Sequence, residues 1–213
     1  MDAVKYPRTP HLSSSRSLSS DDRRMDPADE AFLASGVEVV VTEKMDGGNL
    51  TFMNEHFYAR SLDSTSHSWD YWAKGLWAAV RHQIPSDWRI SGESLHAARS
   101  VSYDSLESFF LAFGVWDETN TLLGWDDTID VLGEIGLTPV PVLYRGIDWS
   151  EAMGAWAKIH TEETSEGFVI RTADAIPMEM FGHRVGKHVR ANHVRTADDW
   201  RSRDDWSKNE LRS

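Results

Sequence analysis

An α+β fold is what this sequence predicts, and three observations carry the prediction. Strand-like and helix-like stretches follow one another without strict alternation, which does not suit a doubly wound parallel sheet. Neither a Gly-x-Gly-x-x-Gly nor a phosphate-loop motif is present. Nothing along the 213 residues divides them, so one folded unit over 25–195 is expected, with an extended basic arm at 1–24 and a helical tail at 196–213.

The arm is rich in Ser, Pro and charge. Residues 5–11, Lys-Tyr-Pro-Arg-Thr-Pro-His, are extended because a residue before proline avoids the helical region. The segment reads either as a disordered leader or as an arm folded over a site. Asp26-Pro27 suits a helix start, with the helix running to about Leu33. Val37–Val41 is an apolar, β-branched run and reads as a buried strand. It delivers Lys44 to a break at Gly47-Gly48, after which Leu50–Met53 leaves as a second strand. His56–Arg60 is a third strand, paired with the second across Asn54-Glu55.

Ser68–Gln83 reads as an amphipathic helix closed by Pro85. Its Trp69, Trp72, Leu76, Trp77 and Val80 recur at three- and four-residue spacing, the mark of a core-facing stripe. Trp88–Glu93 is a strand, and Phe109–Trp116 is a near-continuous apolar strand. Trp125–Ile135 is helical and ends at Gly136. Pro139–Tyr144 is a strand, Trp149–His160 a helix, and Glu166–Arg171 and Arg184–Arg190 are strands.

Composition narrows the function classes. Forty per cent hydrophobic residues and ten Trp supply a sizeable core. There is no Cys, hence neither a disulfide framework nor a thiolate site. No apolar stretch approaches the roughly 20 residues of a membrane span, and no apolar segment opens the chain. A cytoplasmic protein with no membrane association and no obligate protein partner is the expectation. The formal charge of −12 argues against indiscriminate coating of nucleic acid. That charge is uneven: 184–195 holds four Lys/Arg and no acid, 1–24 holds five Lys/Arg against three acids, and the remainder carries −18. A local cationic site on an acidic body suits phosphate handling; a solvated basic strand and tail is the plainer reading. His183, His188 and His193 fall in or beside the basic stretch, without the spacing of a zinc site.

The stretch around Lys44 carries the chemistry. A lysine at a strand end becomes a nucleophile when burial or a cationic neighbour depresses its pKa. Gly47 and Gly48 allow close backbone approach to a ligand. Taken alone, Lys-x-Asp-Gly also reads as a hairpin with an exposed Asp-Gly turn. Three further segments place a charge beside glycine or at a strand end: Ser-Gly-Glu93, Ser-Glu166-Gly-Phe-Val-Ile-Arg and Val-Gly-Lys187-His-Val-Arg190. Between the first two of these lies Phe-Phe-Leu-Ala-Phe113-Gly-Val-Trp-Asp.

This set, in this order, resembles the covalent nucleotidyltransferase superfamily of polynucleotide ligases and capping guanylyltransferases. Thr-Glu-Lys-x-Asp-Gly-x-Asn, with Arg60-Ser61 after the third strand, is most similar to the nick-sealing branch of ATP-dependent RNA ligases. The resemblance spans residues 37–190. It implies antiparallel-rich sheets flanked by helices, an ATP-grasp-like ligase adenylation domain. It implies ATP and Mg2+ or Mn2+ as cofactors and RNA or other polynucleotide ends as partners.

Roles follow by resemblance. Lys44 would attack the α-phosphate of ATP and form a lysyl-adenylate, with Lys187 lowering its pKa. Asp46 and Arg60 would hold ribose or the reacting phosphates, and Glu93 would accept from the ribose hydroxyls. Phe113 would stack on adenine, with Phe110 as the alternative and two core aromatics as the plain reading. Glu166 would position the metal, and Lys187 would neutralise the α-phosphate. Asn49 matches a residue used in sealing; Glu43 and Gly47 belong to the same motif and are assigned to the nucleotide site with it.

Two departures stand out. Where RNA ligases commonly have Lys-x-Lys, this chain has Lys187-His-Val-Arg190, so either Arg190 supplies the second cation or that contact is missing. About twenty residues follow the last motif, which implies a minimal ligase lacking a C-terminal domain. Polynucleotide grip is then expected from the arm, through Lys5, Arg8 and His11, leaving ATP to the 37–190 body. A DNA ligase, a GTP-dependent capping guanylyltransferase and a non-catalytic nucleotide-binding module are the alternatives.

Overall fold

The computed structural model describes residues 3–18, 22–61, 67–191 and 206–213. In chain order the elements are α1 (Pro27–Leu33), β1 (Val39–Glu43), β2 (Gly48–Phe52), β3 (Phe57–Ala59), α2 (Tyr71–Val80), β4 (Arg89–Ser94), β5 (Phe110–Trp116), β6 (Thr121–Leu122), α3 (Trp125–Ile135), β7 (Val142–Gly146), α4 (Trp149–Gly154), β8 (Gly167–Thr172), β9 (Ile176–Pro177), α5 (Phe181–Arg184) and β10 (Val185–Val189). They form an α+β fold with two antiparallel sheets, one ordered β10-β8-β1-β7 and the other β3-β2-β4-β5-β6-β9.

Strand alternation distributes the core. All five residues of β1 are buried. Val39 and Val41 point outward into a cluster with Leu33, Ala152, Trp156, Phe168 and Ile170. Val40 points the other way, into a cluster between the sheets with Met45, Leu95, Leu111, Trp125 and Val140. The outer face of the second sheet packs Leu50, Phe52, Ile90 and Phe110 against Trp72, Leu76, Trp77 and Val80 of α2. Residues 139–141 tie the two sheets together: Val140 N donates to Ala112 O (2.8 Å) and Glu43 N to Pro141 O (2.9 Å). That tie delays β7 to Val142, three residues after the expected start.

A β-bulge decides which aromatic reaches the site. Across β4 and β5, Gly92 faces Ala112 and Ser91 faces Gly114, which leaves Phe113 as the extra residue. Leu111 and Phe113 both face between the sheets, and beyond the bulge Val115 returns to the outer core. Phe110 is fully buried and stacks on Phe52, centroids 4.1 Å apart.

The arm is docked. His11 N donates to Arg23 O (2.7 Å) and Met25 N to His11 O (2.8 Å), while Lys187 N donates to Pro10 O (2.9 Å) and Leu12 N to Lys187 O (2.8 Å). Residues 10–12 thereby extend the first sheet beyond β10, and Leu12 is completely buried. Farther back, Val4 N donates to the Tyr58 hydroxyl, which donates to Val4 O (both 3.2 Å). The arm therefore spans from the first sheet to β3 of the second.

Three further local expectations change, and two short strands are added. Residues 206–213 are extended, not helical, bridging Ala97 through Lys208 and Leu106 through Leu211; residues 196–205 of that expected helix lie outside the described residues. Trp69 leaves the apolar stripe for a short 3-10 turn, Ser68–Asp70, ahead of α2. The helix from Trp149 stops at Gly154 and resumes as a 3-10 turn, Trp156–Lys158, which lets Trp156 Nε1 donate to Ser165 Oγ (3.1 Å). The two-residue strands β6 and β9 are too short for a sequence pattern to show. Among the described residues no helix is long and apolar enough to cross a membrane.

Candidate active site

A cavity of about 1030 Å3 opens between the sheets where β1 passes into β2. That is the upper end of the size range of small-molecule sites. Both sheets and the arm line it. Val169 and Arg171 of β8, beside Val185 and Lys187 of β10, make one wall, their period of two putting all four on one face. Phe113, Leu122 and Trp125 line it from the second sheet and α3, Glu93 from β4, and residues 5–9 from the arm.

Lys44 follows the last residue of β1, and its N donates to Gly167 O (2.9 Å). Gly167 has φ +149°, and a Cβ there would lie 2.0 Å from His188 O, so only glycine lets β10 close in at this point. The Lys44 ammonium pairs with Glu166 Oε2, and Glu166 is buried beneath it without lining the cavity. Burial pulls the Lys44 pKa down, but the carboxylates of Glu166, Glu93 and Asp46 outweigh it and hold the amine above its ordinary value. The sequence-based expectation of a depressed Lys44 pKa is therefore overturned in this state, because the acids around the amine outweigh burial and any pull from Lys187. Glu93 is pushed up to about 7 by burial, against the pull of Lys44 and Arg99. Its Oε1 accepts from Gly47 N (3.2 Å). A Cβ at Gly47 would meet Ser94 O at 2.3 Å, so the Lys-Met-Asp-Gly loop packs flush on β4.

The other expected residues divide. Glu43, Gly47, Asn49, Arg60, Phe113, Lys187, Lys5 and Arg8 all line the cavity. Glu43 is raised by burial and lies 3.5 Å from His160 Nε2. Asn49 Oδ1 is buried with no hydrogen-bond partner among the described residues. Phe113 is half-buried with its ring in a T-shaped contact with Tyr6 at 5.1 Å, which places it and not Phe110 at the site.

Besides Glu166, three expected residues do not reach the cavity wall. Asp46 is buried with Oδ2 accepting from Ser100 N (2.8 Å), Ser100 Oγ (2.6 Å) and Val101 N (3.0 Å), so it anchors a loop instead of facing the cavity. Arg190 donates its backbone N to Glu166 O (3.1 Å), and its Nε is buried without a partner among the described residues. His11 is 2 % exposed, with Nδ1 2.7 Å from Ser15 Oγ and Nε2 3.3 Å from Asp22 Oδ1. Burial and Lys187 lower its pKa to about 4, against Asp22, so it is a neutral core group and not a surface cation. His183 pairs with Asp29 at 2.8 Å and His188 stacks on Phe168; His193 lies outside the described residues.

Sequence reasoning missed four wall residues. Arg171 is 4 % exposed and lowered to about 10 by burial. It donates Nε to Thr172 O (3.0 Å) and Nη2 to Leu123 O (2.6 Å) and Asp174 O (3.1 Å), while Nη1 has no partner among the described residues. An arginine two residues beyond Val169 in an otherwise apolar strand was the available signal. Asp22 lies 3.4 Å from Lys187 Nζ. Tyr6 packs edge-on against Phe113, Trp116 and Phe181. Arg99 approaches Gly48, where a Cβ would be 3.0 Å from its Nη2. No sequence pattern marked the last three.

The family description for RNA ligases matches residues 37–189. No curated protein sequence matches the chain. Among solved structures, the fold resembles Naegleria gruberi RNA ligase with PPi, at TM-score 0.58 and 15 % identity over 89 % of this chain and 61 % of that one. It also resembles an archaeal ATP-dependent RNA ligase, at TM-score 0.56 and 18 % identity over 87 % and 48 %. A variant of the Naegleria protein with ATP and Mn gives TM-score 0.57 and 16 % identity over 86 % and 61 %. The chain thus spans about half to three fifths of the length of these structures. With a nucleotide-sized cavity built around the Lys-Met-Asp-Gly loop and the family match covering most of its residues, the chain belongs to the RNA ligase family.

Proposed function

We propose that this chain carries out ATP-dependent RNA ligation through a lysyl-AMP intermediate on Lys44. The observation that supports it most directly is the placement of Lys44: largely buried, on the wall of the cavity, in contact with Glu166 and sharing that cavity with Lys187. Lys44 Nζ would form a bond to the α-phosphorus as the bond from phosphorus to the pyrophosphate oxygen breaks. The AMP would pass to a 5′-phosphate of RNA, and a 3′-hydroxyl would then displace AMP to close the strand. Adenine would lie against Phe113, with Val169 on the neighbouring sheet, and Glu93 would accept from the ribose. Lys187, Arg60 and Asn49 would meet the phosphates, where fixed positive charge stabilises the developing oxyanions. Lys5 and Arg8 would add charge from the arm on the same cavity, so the arm serves the nucleotide site as well as any RNA.

The amine must lose a proton before it attacks. Glu166 Oε2 is its contact and so the first acceptor. Among the described residues no group of three or more His, Asp or Glu could hold a metal ion by itself. Glu166, a hard carboxylate donor, fits an ion held mainly by nucleotide phosphates. When bound, Mg2+ or Mn2+ would supply charge neutralisation at those phosphates.

Intact-mass analysis after incubation with ATP and magnesium tests the reading. One added AMP is expected, with GTP giving little. Equal labelling by GTP would favour a capping guanylyltransferase; no adduct with either nucleotide would favour a non-catalytic binding module.

A further inference from the structure

We propose that residues 206–213 are a positioning strap for Lys44, with Asn209 as its pin. The inference rests on the reading of Lys44 as the adenylated residue. The strap lies along residues 95–107: Ala98 N donates to Ser207 O (2.9 Å), Asn209 N to His96 O (3.2 Å), Glu210 N to Tyr103 O (2.9 Å), Leu106 N to Glu210 O (3.0 Å) and Arg212 N to Leu106 O (2.8 Å). Asn209 is 3 % exposed and uses both ends of its amide. Its Oδ1 accepts from Tyr103 N (2.9 Å), and its Nδ2 donates to Leu95 O (2.6 Å). It thus clamps the start of the loop, next to β4, to the loop's far limb.

What the loop holds is the lysine's own turn. Tyr103 Oη accepts from Asp46 N (2.9 Å). Ser100 and Val101 supply the three donors to Asp46 Oδ2. Leu95 and Leu106 pack with Met45 in the cluster between the sheets. Arg99, between these anchors, reaches the cavity wall. The two residues that follow Lys44 within its turn, Met45 and Asp46, are therefore fixed by a loop whose shape depends on the strap. Asp46 Oδ2 is taken up by three loop donors and the residue is off the cavity wall, which gives the acid of the motif a structural duty that the strap completes.

The test uses Asn209→Ala and Asn209→Asp in the full chain, with two readouts. Amide hydrogen exchange reports the loop, and the rate of lysyl-AMP formation against ATP concentration reports the lysine. Asn209→Ala should speed exchange at Ser100, Val101 and Tyr103 at least about tenfold while β1 and β8 stay protected. It should lower the maximal adenylation rate roughly ten- to a hundredfold, as small misplacements of a reacting group do. Half-saturating ATP should stay within about twofold, because the strap places the nucleophile and not the nucleotide. Asn209→Asp keeps the acceptor for Tyr103 and loses the donor to Leu95, so it should fall between and covers the case in which the Ala variant does not fold. Faster exchange with an unchanged maximal rate would overturn the proposal, as would unchanged exchange. A raised ATP requirement at an unchanged maximal rate would overturn it too. If the unsubstituted chain forms no lysyl-AMP, the ligase reading fails; if it does and both variants match it, the strap alone fails.

Discussion

Lys44 and Lys187 share one cavity and one degree of burial, with side chains 23 % and 19 % exposed, yet they titrate in opposite directions. Burial lowers both. At Lys44 the carboxylates of Glu166, Glu93 and Asp46 reverse that sign. At Lys187 they do not: Asp22 and Glu166 oppose, but burial together with Lys44 wins. The difference teaches that the charge state of each amine is set by how many acids the fold turns toward it. In this state the proposed nucleophile is the more strongly protonated lysine. Activation therefore requires that the carboxylates be neutralised or drawn away, which a divalent cation on Glu166 would do. The largest effect belongs to the lysine itself: Lys44→Ala should abolish the AMP adduct by intact mass, and an adduct of equal yield would move the chemistry to Lys187.

Glu166→Gln breaks the comparison at its strongest contact. It removes the foremost carboxylate raising Lys44, so the acid limb of the adenylation rate should move to lower pH. The maximal rate should fall on the order of a hundredfold through loss of the proposed proton acceptor and metal anchor. Rate profiles from pH 5 to 9 check this. An unmoved acid limb would mean that Glu93 and Asp46 suffice to hold the proton.

The Lys187 side depends on the arm. Tyr6→Ala removes the ring packed on Phe113, Trp116 and Phe181 while leaving the 10–12 pairing in place. Half-saturating ATP should rise about ten- to thirtyfold, with the maximal rate less affected, since a wall of the pocket and not a reacting group is lost. An unchanged ATP dependence would return the arm to the role its composition suggested, that of a polynucleotide grip.

Legibility followed the range of the interactions. β1 and β2 were readable because a β-branched run and a Gly-Gly break are local signals, and α3 because its apolar residues keep helical spacing up to a glycine stop. Only the resemblance favoured Phe113 over Phe110, since the bulge that separates their phases arises from pairing with Gly92 and Ser91, far earlier in the chain. The duty of Asp46 lies in donors 54 and 55 residues away. The strap's extended form depends on main-chain partners about a hundred residues upstream, which no periodicity in 206–213 encodes. His11 failed as a cation because a residue in a Ser-, Pro- and charge-rich arm looks solvated until Arg23, Asp22 and Lys187 close around it. Arg171 was visible as an outlier in its strand, but its meaning required knowing which face turned to the cavity.

The smallest effect separates the carboxylates on the Lys44 side from one another. Glu93 has its pKa raised from 4.5 to about 7 in the folded chain, with burial the main cause. A raised carboxyl binds its proton more tightly folded than unfolded, so its ionisation costs stability. That cost is absent below the unfolded value, grows as pH rises from about 4.5 to 7, and is full above that window. Glu93→Gln cannot ionise. It should match the parent chain near pH 4.5 and exceed it in denaturant unfolding at pH 8 by about 1–2 kcal/mol, after discounting 1.36 kcal/mol per unit for a half-buried group. The same substitution removes one of the carboxylates that raise Lys44, so adenylation should tolerate lower pH even as the proposed ribose contact is lost. A parent chain no less stable at pH 8 than the variant would show Glu93 ionised without cost. In that case the high pKa of Lys44 would rest on all three acids at neutral pH, and the contrast with Lys187 would be larger than the burial of Glu93 implies.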